Sequence, residues 1–219
     1  MIFRRFDVNT DALHLCVDAQ FISPYAMSVY VALVEKGLPF GITTVDLTAG
    51  ENRTARFAER SLTQRVPLLN HGDFSLTESS AITEYLDDVF SGAALYPSEP
   101  RARARARQLQ AWLRSDLMAL RIERPTEVVF FGEKRPPLSM AGQAAADKLV
   151  SVAATVMLDH DDHACGQWSI VDVDLALMIQ RLALHGDSMP LHLISYANHQ
   201  WRRPSVQQWL TRATERRAA

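Results

Sequence analysis

Cysteine is almost missing from this chain: Cys16 and Cys165 are the only two among 219 residues, and no C-x-x-C pair occurs. That excludes a disulfide framework and a paired-thiol redox motif, and it fits a reduced, cytoplasmic setting. Long apolar runs are missing too, since none approaches the roughly 18 residues needed to span a bilayer. The stretch "MIFRRFDVNTDA" has two arginines but no apolar segment behind them, so no secretory signal is expected. An excess of either charge is also lacking. The formal net charge of -2 gives no electrostatic reason to expect DNA, RNA or an anionic membrane as partner. No internal repeat is present. What remains is an ordinary globular composition, 47% hydrophobic and 22% charged, long enough for one large domain or two small ones.

The first ninety residues alternate between strand and helix signals. "LHLCV" (13–17) reads as a strand covered on both faces. Ser23 and Pro24 then open a helix expected to run to about Lys36. Ala26, Val29, Tyr30, Leu33 and Val34 share one face, and Gly37 stops it. "FGITTVDL" (40–47) is a second strand, and residues 48–61 read as a loop with a short helix. "VPLL" and "FSL" are short strands joined by "NHGD", which has the residues of a hairpin turn. Helical spacing returns from Ser79 to Phe90. The order predicts a mixed sheet flanked by helices.

"SGAALYPSEP" (91–100) reads as a linker, and beyond it strand signals fade. Residues 101–124 are expected to form one long helix ended by Pro125. Further helices are expected at about 139–158, 170–185, 190–202 and 204–216. The second half is therefore all-α.

Three short stretches carry possible chemistry. Ser23 before Pro24 is a standard helix start, the hydroxyl capping free N–H groups. The same hydroxyl, at the positive end of a helix, is also placed to hold a bound thiolate. A hydrogen bond to a charged group contributes roughly 1.5–3 kcal/mol. That lowers a thiol pKa by about one to two units. In "QRVPLL", Pro67 is either a sheet-edge device or, with a cis bond after Val66, a turn that leaves Val66 free to pair with an extended peptide. In "LTESSAI", Glu78, Ser79 and Ser80 begin a helix. They serve as a cap or as a site for a ligand carrying both a carboxylate and an ammonium group.

Taken in order, these stretches resemble the glutathione transferase superfamily, over roughly residues 12–210. The helical half agrees, with Ser169 and Asp172 of "GQWSIVDVDLALM" forming an S-x-x-D capping box. "RVPLL", "RARARQLQAWLRSDLM" and "DVDLALMIQRLALHGD" are most similar to the bacterial YfcF-type branch. The resemblance implies an α/β thioredoxin-like domain over 10–91, with a mixed four-stranded sheet, that binds glutathione. It implies an all-α helical domain over 100–219 that forms part of the second-substrate pocket. Ser23 stands where theta-like, zeta-like and omega-like relatives hold Ser or Cys, so it would activate the thiol of bound glutathione. Val66 would pair with the cysteinyl backbone, Glu78 and Ser79 would hold the γ-glutamyl end, and Arg65 would lie near the glycyl end. Pro67, Ser169 and Asp172 would be structural.

The activity so implied is attack of the glutathione thiolate on a small electrophile, or glutathione-dependent reduction of an organic peroxide, by a cytoplasmic homodimer without a metal. The alternative is a non-catalytic transferase-like module for protein–protein association. Other stretches carry less. Cys16 lies in the first strand and is expected to be a buried, inert thiol. "DHDDHACGQW" (159–168) holds His160, His163 and Cys165 at spacings that fit no common zinc pattern. "RARARAR" (101–107) lacks interleaved aromatic residues; helical geometry puts Arg101 and Arg105 near one face and Arg103 and Arg107 near another, and the stretch is expected to be a solvated helix start, with dimer or anionic-ligand contacts the alternative. Trp112 and Asp116 are candidates to border the active-site cleft, with core packing the alternative for Trp112.

Overall fold

The computed structural model describes residues 13–158 and 162–218. β1 (Leu13–Asp18), β2 (Gly41–Val45), β3 (Leu68–His71) and β4 (Phe74–Thr77) form one sheet in the order β2-β1-β3-β4. β1 and β2 are parallel, and the other two pairings are antiparallel. A parallel pair needs a crossover, and α1 (Pro24–Glu35) supplies it. α2 (Ala55–Ala58) is the short helix expected before β3, and α3 (Ser79–Val89) follows β4. This is the thioredoxin-like arrangement, with the mixed four-stranded sheet that the strand order implied.

α1 differs from its sequence pattern in one respect. Spacing predicts a single apolar face, yet every residue from Ala26 to Leu33 is buried. The reason is that α1 is covered twice, by β1 and α3 on one side and by two helices of the second half on the other. Trp209, fully buried, packs edge-on against Phe21 at 5.1 Å and lies 5.4 Å from Tyr30. Each such side chain contributes about 1.5–3 kcal/mol when removed from water, so α1 is a principal seam between the two halves. Gly37 ends the helix as expected, with φ +66°.

The second half is helical throughout its described residues: α4 (Pro100–Ser115), α5 (Met118–Glu123), α6 (Thr126–Phe131), α7 (Met140–Val156), α8 (Ile170–Ala183), α9 (Leu191–Trp201) and α10 (Pro204–Ala218). The single helix expected over 101–124 is broken. Leu117 sits at φ +62°, and the Asp116 carboxylate accepts hydrogen bonds from the Leu117 N–H at 2.7 Å and from Trp112 Nε1 at 3.0 Å. Asp116 thus offers the backbone a local partner in place of the next helical turn. Pro125 does end α5, but it also opens α6, which the sequence reading did not separate.

The stretch read as a linker is packed. Leu95 and Tyr96 are buried, and the Tyr96 hydroxyl lies 2.7 Å from Thr83 Oγ1 and 2.9 Å from Gln110 Oε1. Buried Lys36 pairs with Asp87 at 3.2 Å and donates to the carbonyls of Phe90 and Ala93. Arg103 and Arg107 do share a face, on which they meet Asp87, Asp88 and Glu84 of α3. At the start of α8, Asp172 is fully buried and accepts from Ser169 N at 2.8 Å, Ala164 N at 2.7 Å and the Tyr196 hydroxyl at 2.8 Å. Ser169 and Asp172 therefore fasten the loop before α8 to its first turn.

Candidate functional site

The site begins at the β1–α1 loop. Asp18, at the end of β1, is buried, and its carboxylate accepts from Ile22 N at 2.8 Å and Ser23 N at 3.0 Å. Burial pushes its carboxyl above the ordinary range against the opposing pull of those N–H donors. Asp18 fixes the loop so that Ser23 lands at the N-cap of α1, where its Oγ accepts from Ala26 N at 3.3 Å. A hydroxyl that accepts this capping bond keeps its own proton to donate. The cap and the proposed thiolate donor are compatible in one side chain.

Beside this loop lies a cavity of about 190 Å³ walled by Arg65, Val66, Pro67, Glu78 and Ser79. These are five of the residues singled out in the sequence, drawn from the turn before β3 and the start of α3. The Val66–Pro67 bond is cis. Among the described residues, neither the N–H nor the C=O of Val66 has a hydrogen-bond partner, because the ladder of β3 starts at Leu68. Ser23 is not in this wall. It stands on a second cavity, of about 550 Å³, with Asp18, Ile22, Leu47 and Thr126. Pro24 and Tyr25 are the next two residues of the chain, and Tyr25 lines the first cavity.

Glu78 does not cap α3 with its side chain; it is exposed and sits at φ +71°. Four described non-glycine residues have positive φ: Phe21, Gln64, Glu78 and Leu117. The first three lie within two residues of Ser23, Arg65 and Ser79, and the fourth lies between Arg114 and Arg121. Such conformations cost about 1–3 kcal/mol each and persist where the surrounding structure enforces them, a pattern that marks functional sites.

The second half supplies what the sequence reading missed. Arg114 of α4 and Arg121 of α5 complete the cavity wall. Arg114 donates to Ser79 Oγ from Nε at 3.2 Å and from Nη2 at 2.9 Å, and pairs with Asp174 at 3.1 Å. Ser79 is itself buried. Arg121 Nη1 donates to the Tyr25 hydroxyl at 3.0 Å and to the Arg114 carbonyl at 2.9 Å. The sequence held only two arginines seven residues apart across "RSDLMALR", and it is the break at Leu117, invisible in the pattern, that sets their relative placement.

Other candidates fall elsewhere. Trp112 borders a groove between α4 and α7 and packs against the core, Asp116 accepts from its Nε1, and neither residue lines either cavity. Asp116 pairs with Lys148, which together with its N–H donors holds its carboxyl at about 2. Cys16 is buried in β1, and desolvation pushes its thiol up, so it stays protonated. His160 lies outside the described residues; among those described, no group of three or more His, Cys, Asp or Glu is arranged to hold a metal. No described helix is long and apolar enough to cross a membrane.

Comparison with known proteins points to one family. Residues 20–88 match the model of the glutathione S-transferase N-terminal domain, and residues 99–215 that of the glutathione S-transferase C-terminal domain. Glutathione S-transferase theta-2 of Rattus norvegicus is 35% identical over 92 residues, which are 42% of this chain and 38% of the rat protein. Theta-1 of Homo sapiens is 33% identical over 129 residues, 57% of this chain and 54% of the human protein. These matches thus span about half or less of the curated relatives' length. Among solved structures, a glutathione transferase homologue from Burkholderia with bound glutathione is 42% identical, covering 93% of this chain and 98% of that one, with a TM-score of 0.76. Human glutathione S-transferase T1-1 in its apo form is 26% identical, covering 93% of this chain and 88% of that one, with a TM-score of 0.72. With the C-terminal model alone taking in more than half of the chain, the protein belongs to the glutathione S-transferase family.

Proposed function

We propose that this protein is a glutathione transferase that binds glutathione in the cavity of Val66, Glu78 and Ser79 and activates its thiol with Ser23. The observation that carries this reading is the meeting of peptide-pairing, carboxylate-binding and ammonium-binding groups in that one cavity. The Ser79 hydroxyl and the N–H groups opening α3 suit the α-carboxylate of a γ-glutamyl group, with the helix's positive end adding to the attraction. The Glu78 carboxylate suits the neighbouring ammonium. The free N–H and C=O of Val66 suit the cysteinyl backbone, paired as an added strand. Arg65, exposed at the other end, suits the glycyl carboxylate.

Ser23 then donates its hydroxyl proton as a hydrogen bond to the thiolate at the positive end of α1. In conjugation, the sulfur attacks an electrophilic carbon, forming the S–C bond as the leaving group departs with the electron pair. In peroxide reduction, the sulfur attacks the terminal oxygen and the O–O bond breaks, releasing the alcohol. A second glutathione then reduces the resulting sulfenic acid to yield disulfide and water. The reading includes a homodimer, a reducing cytoplasmic setting and the YfcF-type branch, the last supported by the stretches quoted above. The test is retention of the whole chain on immobilised glutathione, with elution by free glutathione. No specific retention at high protein concentration overturns the reading and favours a non-catalytic module.

A further inference from the structure

The feature that the proposed chemistry leaves unused is Arg181. It lies on α8, where Asp174, Leu177, Met178 and Arg181 turn one face toward Pro24 and Tyr25. Its residue is only 3% exposed. One donor, Nη1, reaches the Arg124 carbonyl at 2.6 Å, while Nε is buried with no partner. Among the described residues no carboxylate lies within ion-pair distance of it. The other buried cations, Lys36 and Arg124, pair with Asp87 and Asp187, and half-buried Arg114, on the same cavity as Arg181, pairs with Asp174. Arg121, on the same cavity, also lacks a carboxylate and relies on a hydroxyl and a carbonyl.

Two guanidinium groups with no carboxylate at ion-pair distance therefore share a wall beside the proposed thiol site. Desolvation pushes Arg181 down to about 10, with Tyr25 and Glu127 pulling the other way and Arg121 adding repulsion, and it remains a cation at neutral pH. A buried guanidinium is unfavourable without a partner at contact distance, and Glu127 acts on Arg181 only from beyond ion-pair distance, so an anion in direct contact would stabilise it. The cavity in front of Arg181, about 20 Å³, has room for roughly one small polar group. Leu113, Leu177 and Met178 supply an apolar surface around it.

We propose that Arg181 and Arg121 form an anion subsite for the second substrate, and that this substrate is an organic carboxylate carrying the electrophilic or peroxide group on an apolar body. The inference rests on the transferase reading given above. Glutathione itself contains carboxylates, so the test separates the two sources. Calorimetric titration of the whole protein compares glutathione, S-(4-carboxybenzyl)glutathione and S-(4-carbamoylbenzyl)glutathione. The carboxylate conjugate is expected to bind about tenfold or more tightly than the carboxamide. Arg181→Met is expected to bring the two conjugates to parity while leaving glutathione affinity as it was. If Arg181→Met does not fold, a fall in the same ratio in Arg121→Gln serves in its place.

Equal affinity of the two conjugates for the unsubstituted protein overturns the inference and leaves the transferase reading standing. A loss in Arg181→Met that is as large for glutathione as for the carboxylate conjugate assigns the subsite to glutathione and overturns it too. Failure of all three ligands to bind removes the transferase reading and the inference together.

Discussion

Arg114 of α4 donates two hydrogen bonds to the hydroxyl oxygen of Ser79, the first residue of α3, from Nε at 3.2 Å and from Nη2 at 2.9 Å. A hydroxyl has two acceptor positions and one proton. With both acceptor positions taken by a guanidinium, the Ser79 proton points to a further acceptor, and the cavity is where a ligand carboxylate would provide one. The second half of the chain thereby sets the polarity of a side chain in the first. Replacing Arg114 with Met is expected to weaken glutathione binding by about tenfold or more, the equivalent of one hydrogen bond to a charged group. Calorimetry on Arg114→Met measures this directly. Unchanged affinity means that Ser79 is oriented without it.

Ser23→Ala tests the thiolate donor. The pKa of the bound glutathione thiol, followed by thiolate absorbance, is expected to rise by about one to two units. Loss of the capping bond to Ala26 also costs about 1 kcal/mol of stability. The two effects are read separately, one by thiol titration and the other by denaturant unfolding. A stability loss with no change in thiol pKa assigns Ser23 to capping alone.

At Glu78 the side chain and the backbone make opposite predictions. Glu78→Gln keeps the strained φ of +71° and removes the charge, so glutathione affinity falls while thermal stability holds. Glu78→Gly relieves the backbone and is expected to raise stability by about 1 kcal/mol, or Tm by roughly 2–4 °C for a chain of this size. Its glutathione affinity falls as in Glu78→Gln. Differential scanning fluorimetry and calorimetry on the pair separate strain from charge.

Acid stability is expected to depend on Asp187. Bidentate bonding from Arg124, at 2.6 and 2.8 Å, holds its carboxyl below the ordinary value. A group depressed in the folded state contributes stability above its unfolded pKa and loses it as pH falls through the folded one. Asp187→Asn is therefore less stable than the unsubstituted protein at pH 6, and the difference closes as pH drops below about 4. Denaturant unfolding at both pH values checks the sign. Arg124→Met, which leaves Asp187 with His185 alone and frees two backbone carbonyls, is expected to cost about 1–3 kcal/mol at pH 6.

The sequence by itself determined the features that depend on a few consecutive residues. Ser23-Pro24 opens α1, "NHGD" turns β3 into β4, Gly37 stops a helix, and Ser169 with Asp172 fastens another. It also carried the ordered set of Val66, Pro67, Glu78 and Ser79, because each stretch is a local backbone signal. Only the tertiary structure decided how those stretches meet. It put Ser23 on a different cavity from Val66, broke the expected long helix at Leu117, and left Trp112 and Asp116 outside both cavities. Arg114, Arg121 and Arg181 come from three helices of the other half, and no short-range rule joins them. Capping and turn formation are settled within about four residues, where hydrogen-bond reach is short. Convergence of side chains from distant helices depends on how α4, α5 and α8 pack against α1, a property of the whole core.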